Sequence, residues 1–78
     1  MKIFLATKEA VKAFLSVMNA EPDTYYIESE DHNCRVNAKS MMGVLYATTE
    51  CGYSFWLVNA THAGWYPNSV NSFGAAAL

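Results

Sequence analysis

Basic side chains are scarce in this chain. Five Lys and Arg stand against seven Asp and Glu, for a net charge of −2, and they form no patch. A surface of that kind offers no track for a phosphate backbone, which excludes direct nucleic-acid binding as the expected function. Long hydrophobic runs are missing too. The longest fall far short of a membrane span, and Met1-Lys2-Ile3-Phe4-Leu5 is too short for a signal peptide before the polar Thr7-Lys8-Glu9. A cytoplasmic protein without membrane contact is therefore expected. Cysteine is limited to Cys34 and Cys51, and nothing in a leaderless chain with an ordinary core requires them to pair. Both are expected to be reduced. No CxxC or HxxxH spacing is present, so zinc would need Cys34, Cys51, His32 and His62 to converge from scattered positions. No metal or other cofactor is expected. With 78 residues there is no room for a second core, so residues 1–78 read as one small domain without an internal active-site cleft. The expectation is a protein that is not an enzyme.

What the chain does have is apolar material. A hydrophobic content of 53%, with 14% aromatics, argues for a packed globule rather than a disordered tail. Lys2 to Leu5 reads as a short strand, followed by Thr7 as a helix N-cap with Glu9 in the first turn. Val11, Phe14, Leu15 and Met18 then fall at i, i+3, i+4 and i+7, one apolar stripe of a first helix. Pro22, within Asn19 to Asp23, ends it. Thr24 to Ser29 and Cys34 to Ala38 read as strands joined by a polar turn, Glu30 to Asn33, which places His32 at the surface. A second helix is expected from Ser40 to about Tyr46, then a loop, Thr48 to Gly52. Tyr53 to Ala60 makes the fourth strand, with Phe55 and Leu57 on one face and Trp56 and Val58 on the other. His62 lies in the loop that follows, Thr61 to Asn68. Ser69 to Leu78 could hold only a short helix, weakly striped by Val70, Phe73 and Ala77 and weakened by Gly74. Ala75-Ala76-Ala77-Leu78 resembles a cloning scar ahead of a purification tag and is set aside from the fold reading. Strand, helix, strand, strand, helix, strand suits an α+β fold in which helices pack on one face of an antiparallel four-stranded sheet.

The segment Val36-Asn37-Ala38-Lys39-Ser40-Met41-Met42-Gly43-Val44-Leu45 carries the most information. Ser40 ends an alternating strand and opens an apolar helical run, where an N-cap belongs. Its hydroxyl there is worth about 1 kcal/mol to the helix, and a phosphate on it would meet free amides and the positive end of the helix dipole. Read alone, Ser40 is a cap and the two methionines are core. The whole segment, however, resembles the regulatory-serine segment of the HPr/Crh family of the bacterial sugar phosphotransferase system. The resemblance implies an HPr-like open-faced sandwich with two or three helices. It also implies Ser40 as the phosphoacceptor of an HPr kinase/phosphorylase, and Lys39, Met41, Met42, Gly43 and Leu45 as docking residues. The partners it implies are that kinase, a catabolite-control transcription factor and other phosphotransferase-system enzymes.

The other end departs from the family. HPr carries a Gly-Leu-His-Ala-Arg-Pro-Ala segment before its first helix. Here Thr7 falls at the place of the phosphoaccepting histidine and Glu9 at that of its arginine. A threonine without an adjacent base cannot accept and return a phosphoryl group as an imidazole does, and Glu9 would repel the phosphate. Crh is a precedent for losing the histidine and keeping the serine. The expectation is therefore a regulatory protein of carbon catabolite control, phosphorylated at Ser40. A working phosphocarrier in sugar transport is the first alternative. The second is a divergent interaction domain in which Trp56, Trp65 and Tyr66 form an apolar partner surface or a homodimer contact, although capping of the sheet is the preferred reading for those aromatics.

Overall fold

A computed structural model describes residues 1–74. The order is β1 (Lys2–Phe4), α1 (Lys8–Asn19), β2 (Tyr25–Ser29), β3 (Arg35–Asn37), α2 (Met41–Glu50), β4 (Ser54–Asn59) and a terminal 3₁₀ helix, Asn68–Phe73. The four strands form one antiparallel sheet in the order β1-β4-β2-β3. The fold is α+β with three helices, compatible with an open-faced sandwich. No helix among the described residues is long and apolar enough to cross a membrane.

The sheet is two-faced because its strands alternate. Ile3 pairs with Phe55, and Ile27 pairs with both Leu57 and Val36. Ile3, Phe55, Leu57, Ile27 and Tyr25 are buried in one cluster with Val11, Phe14 and Met18 of α1, Val44 and Ala47 of α2, and Val70 of the 3₁₀ helix. The opposite face carries a cross-strand row, Lys2, Trp56, Glu28 and Arg35. Lys2 Nζ lies 4.5 Å from the Trp56 ring centroid, and the His32 ring stacks on Trp56 at 6.3 Å. The Arg35 guanidinium lies 4.2 Å from the Tyr26 ring centroid. Cations and rings thus cover one another on the face that no helix among the described residues protects.

Thr7 caps α1, its Oγ1 accepting the Ala10 N–H at 3.0 Å. The first helix, its buried stripe and its end agree with the sequence reading, except that Leu15 is only half-buried. The second helix does not stop near Tyr46. It continues to Glu50, and the expected loop shrinks to Cys51, Gly52 and Tyr53. Thr48 and Thr49, which favour strands and turns, stay helical while both hydroxyls donate to the Leu45 carbonyl, at 3.1 and 2.8 Å. Gly52, at φ +85°, then takes the left-handed turn that a side chain would resist.

The chain end also differs from expectation. The terminal helix is 3₁₀, spans Asn68 to Phe73, and leaves Gly74 outside it as a cap that bridges to Ile3. Gly74 therefore weakens no helix interior. Phe73 meets Phe14 edge to face, with ring centroids 5.6 Å apart. Ala77 and the scar-like residues 75–78 lie outside the described residues.

The loop after β4 is tied down by Asp23. Asn59 Nδ2 donates to Asp23 Oδ2 at 3.0 Å and to the Trp65 carbonyl at 2.9 Å, while Asn59 Oδ1 accepts the Thr61 and His62 amides. His62 Nδ1 lies 2.9 Å from the same Asp23 oxygen. These bonds, from Asn59 first and then His62, hold the Asp23 carboxyl below its ordinary value of 3.8.

Two outcomes follow from this packing. Phe14→Ala removes a fully buried ring and its edge contact, and should cost about 3–5 kcal/mol in urea unfolding. A carboxyl whose pKa is depressed by folding stabilises above its unfolded pKa and loses that contribution as pH falls. Asp23→Asn should therefore lower the melting temperature at pH 7, and the deficit should close as the pH drops below 3.8.

Candidate functional site

The Ser40 junction is built from the turn that joins β3 to α2. Asn37 starts it, with its side-chain Oδ1 accepting the Lys39 N–H at 2.9 Å and its carbonyl accepting the Ser40 N–H at 3.1 Å. This Asx arrangement stops the strand and aims the chain into the helix. Ser40 stands in extended geometry at φ −87°, ψ 115°, and its Oγ accepts the Gly43 N–H at 3.1 Å while its carbonyl accepts the Val44 N–H at 2.9 Å. The capping role read from the sequence is present in the fold. The first-turn amides of Met41 and Met42 have no acceptor within the helix, so the hydroxyl sits at a cluster of donors at the dipole's positive end.

Gly43 owes its identity to this cap. A Cβ there would lie 3.3 Å from both Ser40 Oγ and Val36 Cβ, tighter than ordinary van der Waals contact. The absent side chain lets the first turn of α2 close on β3 and on the half-buried Ser40 hydroxyl.

The apolar residues that follow are divided between two environments. Val44 and Ala47 are the buried residues of α2. Met41, Met42, Leu45 and Tyr46 are exposed, Met42 at 81% and Met41 at 62%. The alternative that both methionines are core is thereby overturned: the helix seals the domain with its two smaller apolar side chains and turns its larger ones outward. Met41 and Leu45, like Met42 and Tyr46, are four apart and so lie along adjacent rows of one surface. Tyr46 belongs to that surface and was missed in the sequence. The i+4 spacing from Met42 was its available signal.

Lys39 is placed differently from the other four candidate docking residues. Its ammonium donates to the Glu21 carbonyl after α1, and its own carbonyl accepts from Asn19 Nδ2 at 3.3 Å. It braces the junction against α1. Gly43 is likewise half-buried and structural, which leaves Met41, Met42 and Leu45 as the outward-facing members of that set.

Thr7 is an exposed cap with Glu9 in the following turn. The two histidines are engaged elsewhere: His32 Nδ1 lies 2.9 Å from Glu28 Oε1 beside Trp56, and His62 lies against Asp23. No group of three or more His, Cys, Asp or Glu side chains that could hold a metal is found among the described residues. Of the aromatics weighed as a joint surface, Trp65 is exposed, Tyr66 is half-buried with its hydroxyl donating to the Leu57 carbonyl at 2.8 Å, and Trp56 lies under Lys2 and His32. Comparison with known proteins finds no match to this chain among family models, curated proteins or solved structures.

The cap geometry gives a direct test. Ser40→Ala should destabilise the domain by about 1 kcal/mol in chemical denaturation, because the Gly43 amide loses its acceptor. Ser40→Asp should unfold at or above the wild-type midpoint, since a carboxylate both caps and complements the dipole.

Proposed function

We propose that this chain is an HPr/Crh-like regulatory protein of the sugar phosphotransferase system, acting in the cytoplasm through protein contacts in carbon catabolite control. Ser40 is its phosphoacceptor. Met41, Met42 and Leu45 form the docking surface, with Tyr46 extending it. The observation that carries the reading is the exposure of Met42 and Met41 immediately after a serine that caps the same helix. Methionine at a surface is an adaptable apolar contact, suited to a partner's groove. The order of strands and helices, with Lys39-Ser40-Met41-Met42-Gly43-Val44 at the β3–α2 junction, is what the family resemblance implies.

Phosphorylation changes the site by charge rather than shape. It adds about −1.5 to −2 charges and acceptor oxygens at the N-terminus of α2. One oxygen can keep the Gly43 N–H bond while the others face the Met41 and Met42 amides and a partner's arginine. The charge then stands beside exposed methionines, so one partner is favoured by the anion and another, which buries the apolar surface against acidic groups, is repelled. The partners in this reading are an HPr kinase/phosphorylase, a catabolite-control transcription factor and phosphotransferase enzymes. The carrier alternative is weakened because Thr7, without an adjacent base, stands where the family has its phosphoaccepting histidine.

Mass spectrometry after incubation with HPr kinase and ATP, in parallel with enzyme I and phosphoenolpyruvate, tests the proposal. One phosphate is expected in the kinase arm, absent from Ser40→Ala. Acid-labile phosphate on a histidine would instead favour the carrier, and no label in either arm would favour an interaction domain without phosphorylation.

A further inference from the structure

Cys34 and Cys51 are far apart in sequence and belong to different elements, yet both open onto one surface groove of about 810 Å³, together with Asp31, Tyr46, Glu50 and Tyr53. Each backbone is fixed. Cys34, just before β3, donates its N–H to Ser29 Oγ at 3.0 Å and accepts the Ser29 N–H at 2.9 Å. Cys51 ends α2, its N–H held by the Ala47 carbonyl at 2.8 Å. Both side chains are half-buried against the edge of the core, and both are free thiols. Packing of α2 on β3 therefore places both thiols on the lining of one open cleft that small oxidants can enter.

We propose that Cys34 and Cys51 form a peroxide-sensitive dithiol that closes to an intramolecular disulfide. In the first step a thiol sulfur attacks one oxygen of hydrogen peroxide, the O–O bond breaks, and the sulfur becomes a sulfenic acid as water leaves. In the second, the other thiol attacks the sulfenic sulfur, the S–O bond breaks, and the thiol proton leaves with the hydroxyl as a second water. Two thiols and one peroxide give one disulfide and two waters; the sulfurs supply the two electrons. The Cys34 thiol is pushed up to about 11, first by the adjacent Cys51 thiol, then by burial and by the Asp31 charge. Either thiol can take the oxidant, and the other then resolves it.

The resulting ring encloses β3, Ser40 and all of α2. Oxidation would fasten both ends of the segment that carries the cap and the exposed methionines. In a reducing compartment the free pair is the resting form, and the disulfide is its transient state. This inference stands apart from the phosphorylation reading, since it needs neither a kinase nor a partner.

The test treats the purified full chain with hydrogen peroxide, then quenches, digests and maps it. The expected result is a Cys34–Cys51 crosslinked peptide in the monomer, loss of both free thiols, and reversal by dithiothreitol. The oxidised monomer should melt about 5 °C or more above the reduced one, as a loop of this length implies. Cys34→Ser should trap a sulfenic acid at Cys51 with dimedone, which the wild type should not. Wild-type oxidation that ends in intermolecular dimers or in sulfinic acids, with no intramolecular crosslink, would overturn the proposal. Because the wild-type map decides this alone, the test does not depend on the folding of Cys34→Ser.

Discussion

Strands β2 and β4 pair from Tyr25 opposite Asn59 to Ser29 opposite Phe55, and the remaining elements hang from that pairing. Alternate side chains along both strands are sealed beneath the helices, so a slip of one residue would turn Tyr25, Ile27, Phe55 and Leu57 to the solvent face at once. Register here is accordingly well specified. It fixes the place of β3, bonded to β2 through Ile27 and Val36, and hence where the Asn37 turn releases the chain into α2. The Ser40 junction is positioned by the core without belonging to it.

A sheet covered on one side must deal with the other. This domain does so with a row of cations and rings rather than with polar side chains alone: Lys2 over Trp56, His32 stacked on the same ring, and Arg35 over Tyr26. The stems of the long charged residues cover aromatic surface while their charges stay wet, and Lys2 also reaches Glu30 at 2.8 Å. The short edge strands, three residues each, offer little unpaired backbone to another chain.

The α+β class, the element order, both N-caps and the stripe of α1 were legible because each rests on local chemistry: alternation, 3.6-residue spacing, and a hydroxyl before an apolar run. The end of α2 was not. Thr48-Thr49 reads as loop because threonine favours strands and turns locally, and the Leu45 carbonyl that receives both hydroxyls is in place only once the helix has formed. Nor could periodicity assign the burial of Met41 and Met42, since every residue from Met41 to Tyr46 except Gly43 is apolar or aromatic, and only the sheet decides which side is inward. The tie of Lys39 to the Glu21 carbonyl was not legible either, since it joins residues 18 apart. The meeting of Cys34 and Cys51 likewise depends on how α2 lies on β3, which no spacing encodes.

The two main helices are unequal in a way that bears on motion. α1 anchors itself with Val11, Phe14 and Met18, whereas α2 has only Val44 and Ala47 and carries a glycine in its first turn. Fewer buried contacts and a residue that favours the unfolded chain place α2 at the low end of the domain's local stability. Its amides should therefore exchange with solvent through partial opening while those of β2 and β4 wait for global unfolding. The segment that presents the most apolar surface is thus also the one whose backbone can come loose without the rest.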